Sequence, residues 1–428
     1  MKRIALINPP SPFLTDQRVF PNIGLVRVGT ALSEEGHDVD IHDFAGRDPE
    51  GIRDIGEYDY YGFSSTSPQM PQTMGLLGRL KDVRPNARTI LGGPHASALY
   101  PLWKKGPDDP NIGDLGVFDT IFAGEGEETT RMFDPGWQKA DLIRDIDQTP
   151  IPDREMIDLE SYHYEMAGKP TTSVQTQRGC PFVCGFCSGR DVDMYRTVRT
   201  HSPGRVLEEL DALSARYGYK SFMWYDDEVN ANPARLKALC DALAKRPYQH
   251  RSFVRSDLVA RRPESIGWLK RAGFVKLCTG VESGSDRILT TDNKGTTVAQ
   301  NYEAREIIGK LGIDYEAFLI IGHPGETPDD VQQTIDWVKA AKPDDFDISI
   351  LTPYPGSKFY DTAVPSTKFD GYSHEHEGLY FNRPRFAQGA SYYKGPNGSS
   401  AAVSRTDAMT EKFIKDKRDE IQAMRVRK

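Results

Sequence analysis

Three of the chain's five cysteines fall within eight residues, in Cys180-Pro181-Phe182-Val183-Cys184-Gly185-Phe186-Cys187. Thiolates are the usual ligands of iron–sulfur clusters, and a fully protein-ligated cluster takes four. Three thiolates on one loop wrap a cubane and leave its fourth iron open to a small molecule. Structural zinc would need a fourth Cys or His close by, and His201 lies too far along for the usual spacing. An odd number of cysteines in a cytosolic chain speaks for ligation, not disulfides. Cys240 and Cys278 sit in a helical and a strand pattern and read as small buried hydrophobes.

Other polar groups and glycines recur just after short apolar runs. Asp226-Asp227-Glu228, Arg255, Glu282-Ser283 and Gly322-His323-Pro324-Gly325 do so beyond the cysteines. Ahead of them come Asn8-Pro9-Pro10, Ser64-Ser65, Gly92-Gly93-Pro94-His95 and Gly124-Glu125-Gly126-Glu127.

The elements that must position these groups alternate. Residues 3–7, 38–42, 60–64, 89–91 and 120–123 read as strands, with helical patterns between them, such as 24–35 and 74–81. This spacing predicts an α/β fold whose first unit, residues 1–144, is a Rossmann-like parallel sheet with helices on both faces. In such sheets ligands bind outside the carboxyl ends of the strands. Residues 145–169, with Pro150 and Pro152, read as a linker. A second alternation has strands at 172–176, 220–225, 251–255, 275–280, 315–321 and 346–351. Its helices include one capped by Ser202-Pro203 and one opened by Thr327-Pro328. Six βα units over 170–360 predict a partial (β/α)6 barrel, with chemistry at the strands' C-terminal ends. Residues 361–428 form a small irregular and helical segment. Its stretch 371–404, rich in Gly, Tyr, His and Ser, reads as a cover for the substrate site or a loose tail, and 412–428 as a solvated helix.

The cysteine loop, with aromatic Phe186 before its last cysteine, resembles the signature of the radical S-adenosylmethionine (SAM) superfamily. The resemblance runs over about residues 170–360. It implies a 4Fe–4S cluster on Cys180, Cys184 and Cys187, and SAM bound by Phe186, Asp226, Asp227, Glu228, Arg255, Glu282, Ser283 and Gly322. Carboxylates suit an ammonium and ribose hydroxyls, Arg suits a carboxylate, and glycine permits close backbone approach.

The preceding sheet unit, together with Pro353-Tyr354-Pro355-Gly356-Ser357, is similar to the cobalamin-binding class of that superfamily. Cobalamin is then expected on Ser64, Ser65, Gly92, Gly93, Pro94, His95, Gly124, Glu125 and Gly126. The Asp-x-His-x-x-Gly motif that often supplies a lower axial imidazole is absent after the first strand. His42 ends the second strand, so the expectation is cobalt without a protein histidine. With no cysteine before Cys180, the chain does not resemble the methylthiotransferases, which carry a second cluster there. The resemblance implies methyl transfer to an unactivated carbon through a 5′-deoxyadenosyl radical and methylcobalamin. Radical cyclisation or rearrangement is the alternative within the class, and a non-catalytic iron–sulfur or corrinoid carrier or sensor the alternative outside it. No residue pattern names a catalytic acid or base, or the substrate, whether small molecule or peptide. An external one-electron donor of flavodoxin or ferredoxin type is implied.

The bulk properties are ordinary for a globular protein, with 428 residues and a formal net charge of −8. Two or three domains are expected at this length. No run of Lys or Arg suggests a nucleic acid or an anionic membrane. No apolar stretch approaches the roughly 18 residues of a membrane helix. The apolar run at residues 4–7 is too short for a signal peptide, so a cytoplasmic location is expected.

Overall fold

The computed structural model describes residues 1–106, 109–383, 385–388 and 402–425. The first sheet consists of β1 (Arg3–Asn8), β2 (Asp38–Asp43), β3 (Tyr60–Ser64), β4 (Thr89–Gly92), β5 (Thr120–Ala123) and β6 (Gly136–Lys139). All pairings are parallel and the order is β2-β1-β3-β4-β5-β6. The order reverses between β1 and β3, which opens a crevice at their carboxyl ends. Helix α1 (Ile23–Glu34) starts where the Asn22 side chain accepts from Leu25 N–H, and it buries Leu25, Val26 and Leu32. Helices α2 (Met70–Val83) and α3 (Pro94–Lys104) complete the unit. β6 is absent from the sequence expectations, because Gly-Trp-Gln-Lys on an exposed edge carries no apolar run.

Six parallel strands form the second sheet. They are Lys169–Val174, Ser221–Trp224, Gln249–Phe253, Phe274–Glu282, Asp314–Ile321 and Asp345–Ile350, each paired with the next in chain order. The first and sixth strands do not pair with each other, so the barrel stays open on one side. Phe222, Trp224, Phe274, Leu277, Phe346 and Ile348 lie in one core under the helices, and alternate residues point the other way, into the lumen. The helix Glu411–Ala423 covers the sixth strand, burying Ile414 and Ile421. There Gln422 Oε1 accepts from Ile348 N–H at 3.3 Å.

The region after the barrel is more ordered than an irregular segment. Val364–Pro365, His374–His376, Leu379–Phe381 and Ser404–Thr406 make a four-stranded antiparallel sheet. These strands are too short for a readable period. Much of the remaining stretch between the last two, 389–401, lies outside the described residues. Leu379, Phe381 and Phe386 join a core that includes Phe63, Leu76 and Leu99 of the first unit. Tyr360 adds polar ties, donating to Asp109 Oδ2 at 2.8 Å and accepting from Asn111 Nδ2 at 2.9 Å. This sheet therefore braces the first unit instead of hanging free. Among the described residues no helix is long and apolar enough to cross a membrane.

Candidate functional site

The cysteine loop leaves the first barrel strand through Gly179, whose φ of +84° is open to glycine, and a Cβ there would stand 2.3 Å from Thr197 O. Backbone bonds then shape the loop. Cys180 N–H donates to Tyr195 O at 2.9 Å, and Gly185 N–H to Asp292 O at 2.7 Å. Cys180 is half-buried, Cys184 buried and Cys187 exposed. Burial pushes the Cys180 thiol up to about 11, with Glu228 and Asp227 adding to it. A cationic cluster is the kind of partner that draws such a proton off. Arg255 supplies positive charge beside the loop, with Nη1 3.9 Å from Cys184 Sγ and its guanidinium 3.6 Å over the Phe182 ring. No three His, Cys, Asp or Glu side chains among the described residues converge on one metal ion.

The residues expected around SAM divide into two groups. Asp227 and Glu228 face the loop. Asp227 accepts from Gly179 N–H at 3.0 Å, and burial raises its carboxyl to about 6. Glu228 is buried beside Arg255 and accepts from Asn230 N–H at 3.0 Å, and burial pushes its carboxyl up to about 8. Glu282 is buried at φ +61° and pairs with Lys294 Nζ at 2.6 Å. That ammonium lies 5.7 Å from the Phe186 ring centroid. Arg255 also binds Asp257 at 3.0 Å and Lys294 O at 2.6 Å, which fixes its direction.

Asp226, Ser283 and Gly322 do something else. The Asp226 carboxylate is fully engaged by Thr176 N–H, Thr176 Oγ1 and Gln177 N–H at 2.6, 2.5 and 2.9 Å. It anchors the start of the cysteine loop. Ser283 is fully buried with its hydroxyl at 3.3 Å from Thr334 Oγ1, and Gly322 turns toward Ile414 and Ile350. Lys294 is the cation that sequence reasoning missed, because Asp292-Asn293-Lys294-Gly295 reads as an ordinary surface turn.

A cavity of about 640 Å³ lies between the two units. One wall is the carboxyl edge of the first sheet, with Asn8, Ser64, Gly92, Gly93, Pro94, Gly124, Glu125 and Gly126, and the opposite wall includes Gly179, Tyr225 and Asp227. Gly93 has φ +89°, and a Cβ there would stand 2.8 Å from Ser65 N. A Cβ on Gly126 would reach 2.5 Å from Val28 Cγ2. Leu6, Gly62, Ile90 and Phe122 make an apolar slot beneath Leu25 and Val28 of α1. A broad glycine-walled face with a narrow apolar slot fits a flat macrocycle with a buried tail.

Ser65 and His95 are expected on this wall but are not part of it. Both are buried, Ser65 against Thr73 Oγ1 at 2.9 Å and His95 against Ser67 Oγ at 2.8 Å. Burial holds the His95 imidazole down at about 3. His42 also lies away, with Nε2 3.0 Å from Tyr58 OH. No histidine is among the described residues lining the cavity.

Glu125 and Glu127 take a role the sequence did not suggest. Glu125 pairs with Arg178 at 2.7 Å and with Arg199 at 2.5 Å, and Glu127 also pairs with Arg178. Glu125, Arg178 and Arg199 are buried and Glu127 is half-buried, and Arg178 stands two residues before Cys180. The glycine turn after β5 is thereby clamped to the root of the cysteine loop.

Comparison with known proteins agrees with this division. Residues 174–338 match the family model described as the radical SAM superfamily, and residues 14–131 match the B12 binding domain. An uncharacterised methyltransferase of Pyrococcus horikoshii is 28% identical over 395 residues, covering 85% of this chain and 83% of its own. The anaerobic magnesium-protoporphyrin IX monomethyl ester cyclase of Cereibacter sphaeroides is 28% identical over 354 residues, 76% of this chain but only 56% of the cyclase. In fold, the chain is similar to the radical SAM methyltransferase TsrM of Kitasatospora setae, solved with cobalamin and a 4Fe–4S cluster. The TM-score is 0.65 at 18% identity, over 93% of this chain and 82% of that one.

Proposed function

The chain is a cobalamin-binding radical SAM enzyme, and from that premise we propose that it methylates an unactivated carbon of its substrate. One observation carries the reading. A single cavity runs from the glycine edge of the first sheet to Asp227 and Gly179, beside the first cluster cysteine. Groups held on its two walls face one space, as transfer between them requires. The name of the Pyrococcus relative supports the same reaction.

Bound in these sites, the cluster and SAM would supply one-electron radical chemistry, and methylcobalamin would supply the methyl group. The protein binds and shields. Cys180, Cys184 and Cys187 would hold three irons, and Asp227 and Glu228 would receive the SAM ammonium. Arg255 and Lys294 place two buried cations beside the loop, where they favour its thiolates and any bound carboxylate. Gly92, Gly93 and Gly124 would keep side chains off the face that receives the corrin. The electron would come from a flavodoxin or ferredoxin type of donor.

The test is mass spectrometry of products formed from deuterated-methyl SAM and candidate substrates by the reduced, cobalamin-loaded protein. A product heavier by one labelled methyl is expected. SAM cleavage without any methylated product would overturn the reading. The cyclase relative favours a second reading, ring closure, which the same spectra would register as loss of hydrogen without the label. A mere carrier would not cleave SAM at all.

A further inference from the structure

The barrel lumen holds polar side chains that neither cofactor site uses. Side-chain contacts between neighbouring strands group them in layers. Met223 pairs with Arg251, Cys278 with Glu316, and Glu316 with Asp345. One layer nearer the cysteine loop, Phe318 pairs with Gly280 and Asp347. On the sixth strand Phe346, Ile348 and Ile350 are buried while Asp345, Asp347 and Ser349 stay partly exposed. The outer face of that strand is packed, and its lumen face is open to solvent.

The floor of the lumen holds two cations, Arg251 and Lys276, on register-paired positions of neighbouring strands. Arg251 is buried and donates through Nη2 to Glu316 Oε2 at 2.8 Å. Its other contacts are poor, with Nε 3.2 Å from Cys278 Sγ and Nη1 3.1 Å from Met223 Sδ. Sulfur is a weak acceptor and a guanidinium carries five donors, so Arg251 has capacity for an oxygen ligand. Lys276 Nζ sits 3.6 Å from Glu316 and 3.7 Å from Asp345, too far for direct bonds. Asp345 is already paired with Arg425 at 2.6 Å. Arg251 and Lys276 therefore share Glu316, and Lys276 also stands within ion-pair reach of Asp345. Asp347 lies on the outermost strand and forms no ion pair with either cation among the described residues.

Above this floor is an aromatic collar. The Phe253 and Phe318 rings lie 5.4 Å apart at 44°. Tyr225, which follows the second strand, borders the shared cavity. Arg251 and Phe253 are successive lumen-facing residues, so floor and collar are about 7 Å apart by strand rise.

We infer that the lumen binds a substrate with a flat apolar ring system that ends in a carboxylate. The ring lies in the collar of Tyr225, Phe253 and Phe318, and the carboxylate rests on Arg251 and Lys276. The inference builds on the enzyme reading above, since it takes the space facing the cavity as the substrate's place.

Two fluorescent probes with this chemistry, 1-pyrenebutyrate and indole-3-propionate, are titrated against the full chain with its cluster reconstituted, each beside its methyl ester. The acids should bind about 10- to 150-fold more tightly than the esters, the loss that goes with a charge-assisted bond. The paired change Arg251→Gln with Glu316→Gln removes both buried charges together and should bring the acids down to the level of the esters. Lys276→Gln, at a more exposed position, should narrow the gap in part and keeps the test open if the paired variant fails to fold. Iron content and circular dichroism show whether each variant is folded. Equal binding of acids and esters, no binding of either acid, or an undiminished preference in a folded paired variant would overturn the inference. Because the titration reads no methyl transfer, its failure leaves the proposed reaction standing, and failure of the reaction leaves the titration result intact.

Discussion

Lys294 stands in a turn whose composition says surface, yet its ammonium is buried against Glu282 at 2.6 Å and near the cysteine loop. A buried charge is retained only where something answers it. Lys294→Met should leave Glu282 buried without its partner, and Asp227→Asn should remove a carboxylate from the cavity wall. Each should weaken SAM binding about 10- to 150-fold while iron content persists, the scale of a lost charge-assisted bond. Equilibrium dialysis with labelled SAM checks this, and parent-like affinity in both variants would mean that SAM sits elsewhere. Changing Cys180, Cys184 and Cys187 together to Ala should abolish iron uptake and the absorption of a reconstituted cluster, read by iron assay and visible spectroscopy. The cysteines stand out in the sequence by their spacing. Asp226 and Asp227 were not separable in the sequence, because which neighbour faces the cavity depends on the twist at one strand end, and the answer appears only with the three donors on Asp226.

At the scale of elements, two turns carry the site, and each has its own fragility. The turn at 292–295 receives Gly185 N–H on Asp292 O, and Asn293 Nδ2 donates to Val183 O at 3.3 Å. Behind it, His323 Nδ1 lies 2.8 Å from Asp292 Oδ2, with both side chains fully buried. Burial works against the imidazolium, but Asp292 and Glu326 outweigh it and raise His323 to about 9. Burial also raises Glu326 to about 7. Both groups hold protons more tightly folded than unfolded, so their contribution is complete at low pH and is lost as pH rises through about 7 and then about 9. Urea titrations should show stability falling between neutral pH and about 9.5, and the slope above pH 7 should flatten in His323→Gln. An unchanged slope would show that the pair is not charged as described. The second fragile turn is at Gly179, where a Cβ would meet Thr197 O at 2.3 Å. Gly179→Ala should displace the loop root and lower iron content, while cobalamin uptake by the first unit persists. Strand and helix periods made most of the strands and helices of both sheets readable in the sequence. The short strands at 364–365, 374–376 and 379–381 escaped because two or three residues carry no period, and their burial depends on contacts far away in sequence.

At the scale of the whole molecule, the clamp of Glu125 and Glu127 on Arg178 and Arg199 joins the two units across the cavity. Burial would raise Glu127, but Arg178 and Arg27 hold it below the ordinary carboxylate range. Removing one partner of such a group leaves a buried charge unanswered, which costs about 3–5 kcal/mol. Glu125→Ala should therefore lower stability by about that amount, measured by denaturant unfolding, and should separate the unfolding of the two units into distinct steps. A single transition with parent-like midpoint would show that the units hold together by apolar contact alone.

A clamp whose ends belong to both walls of one chamber also sets a timetable for filling it. Anything too large to slip past must arrive before the walls lock, or wait until they part. Soaking folded protein in cobalamin should then fill it slowly, with a rate that levels off as cobalamin concentration rises, because opening becomes the limiting event. Refolding in the presence of cobalamin should skip the wait, and so should soaking the Glu125→Ala protein.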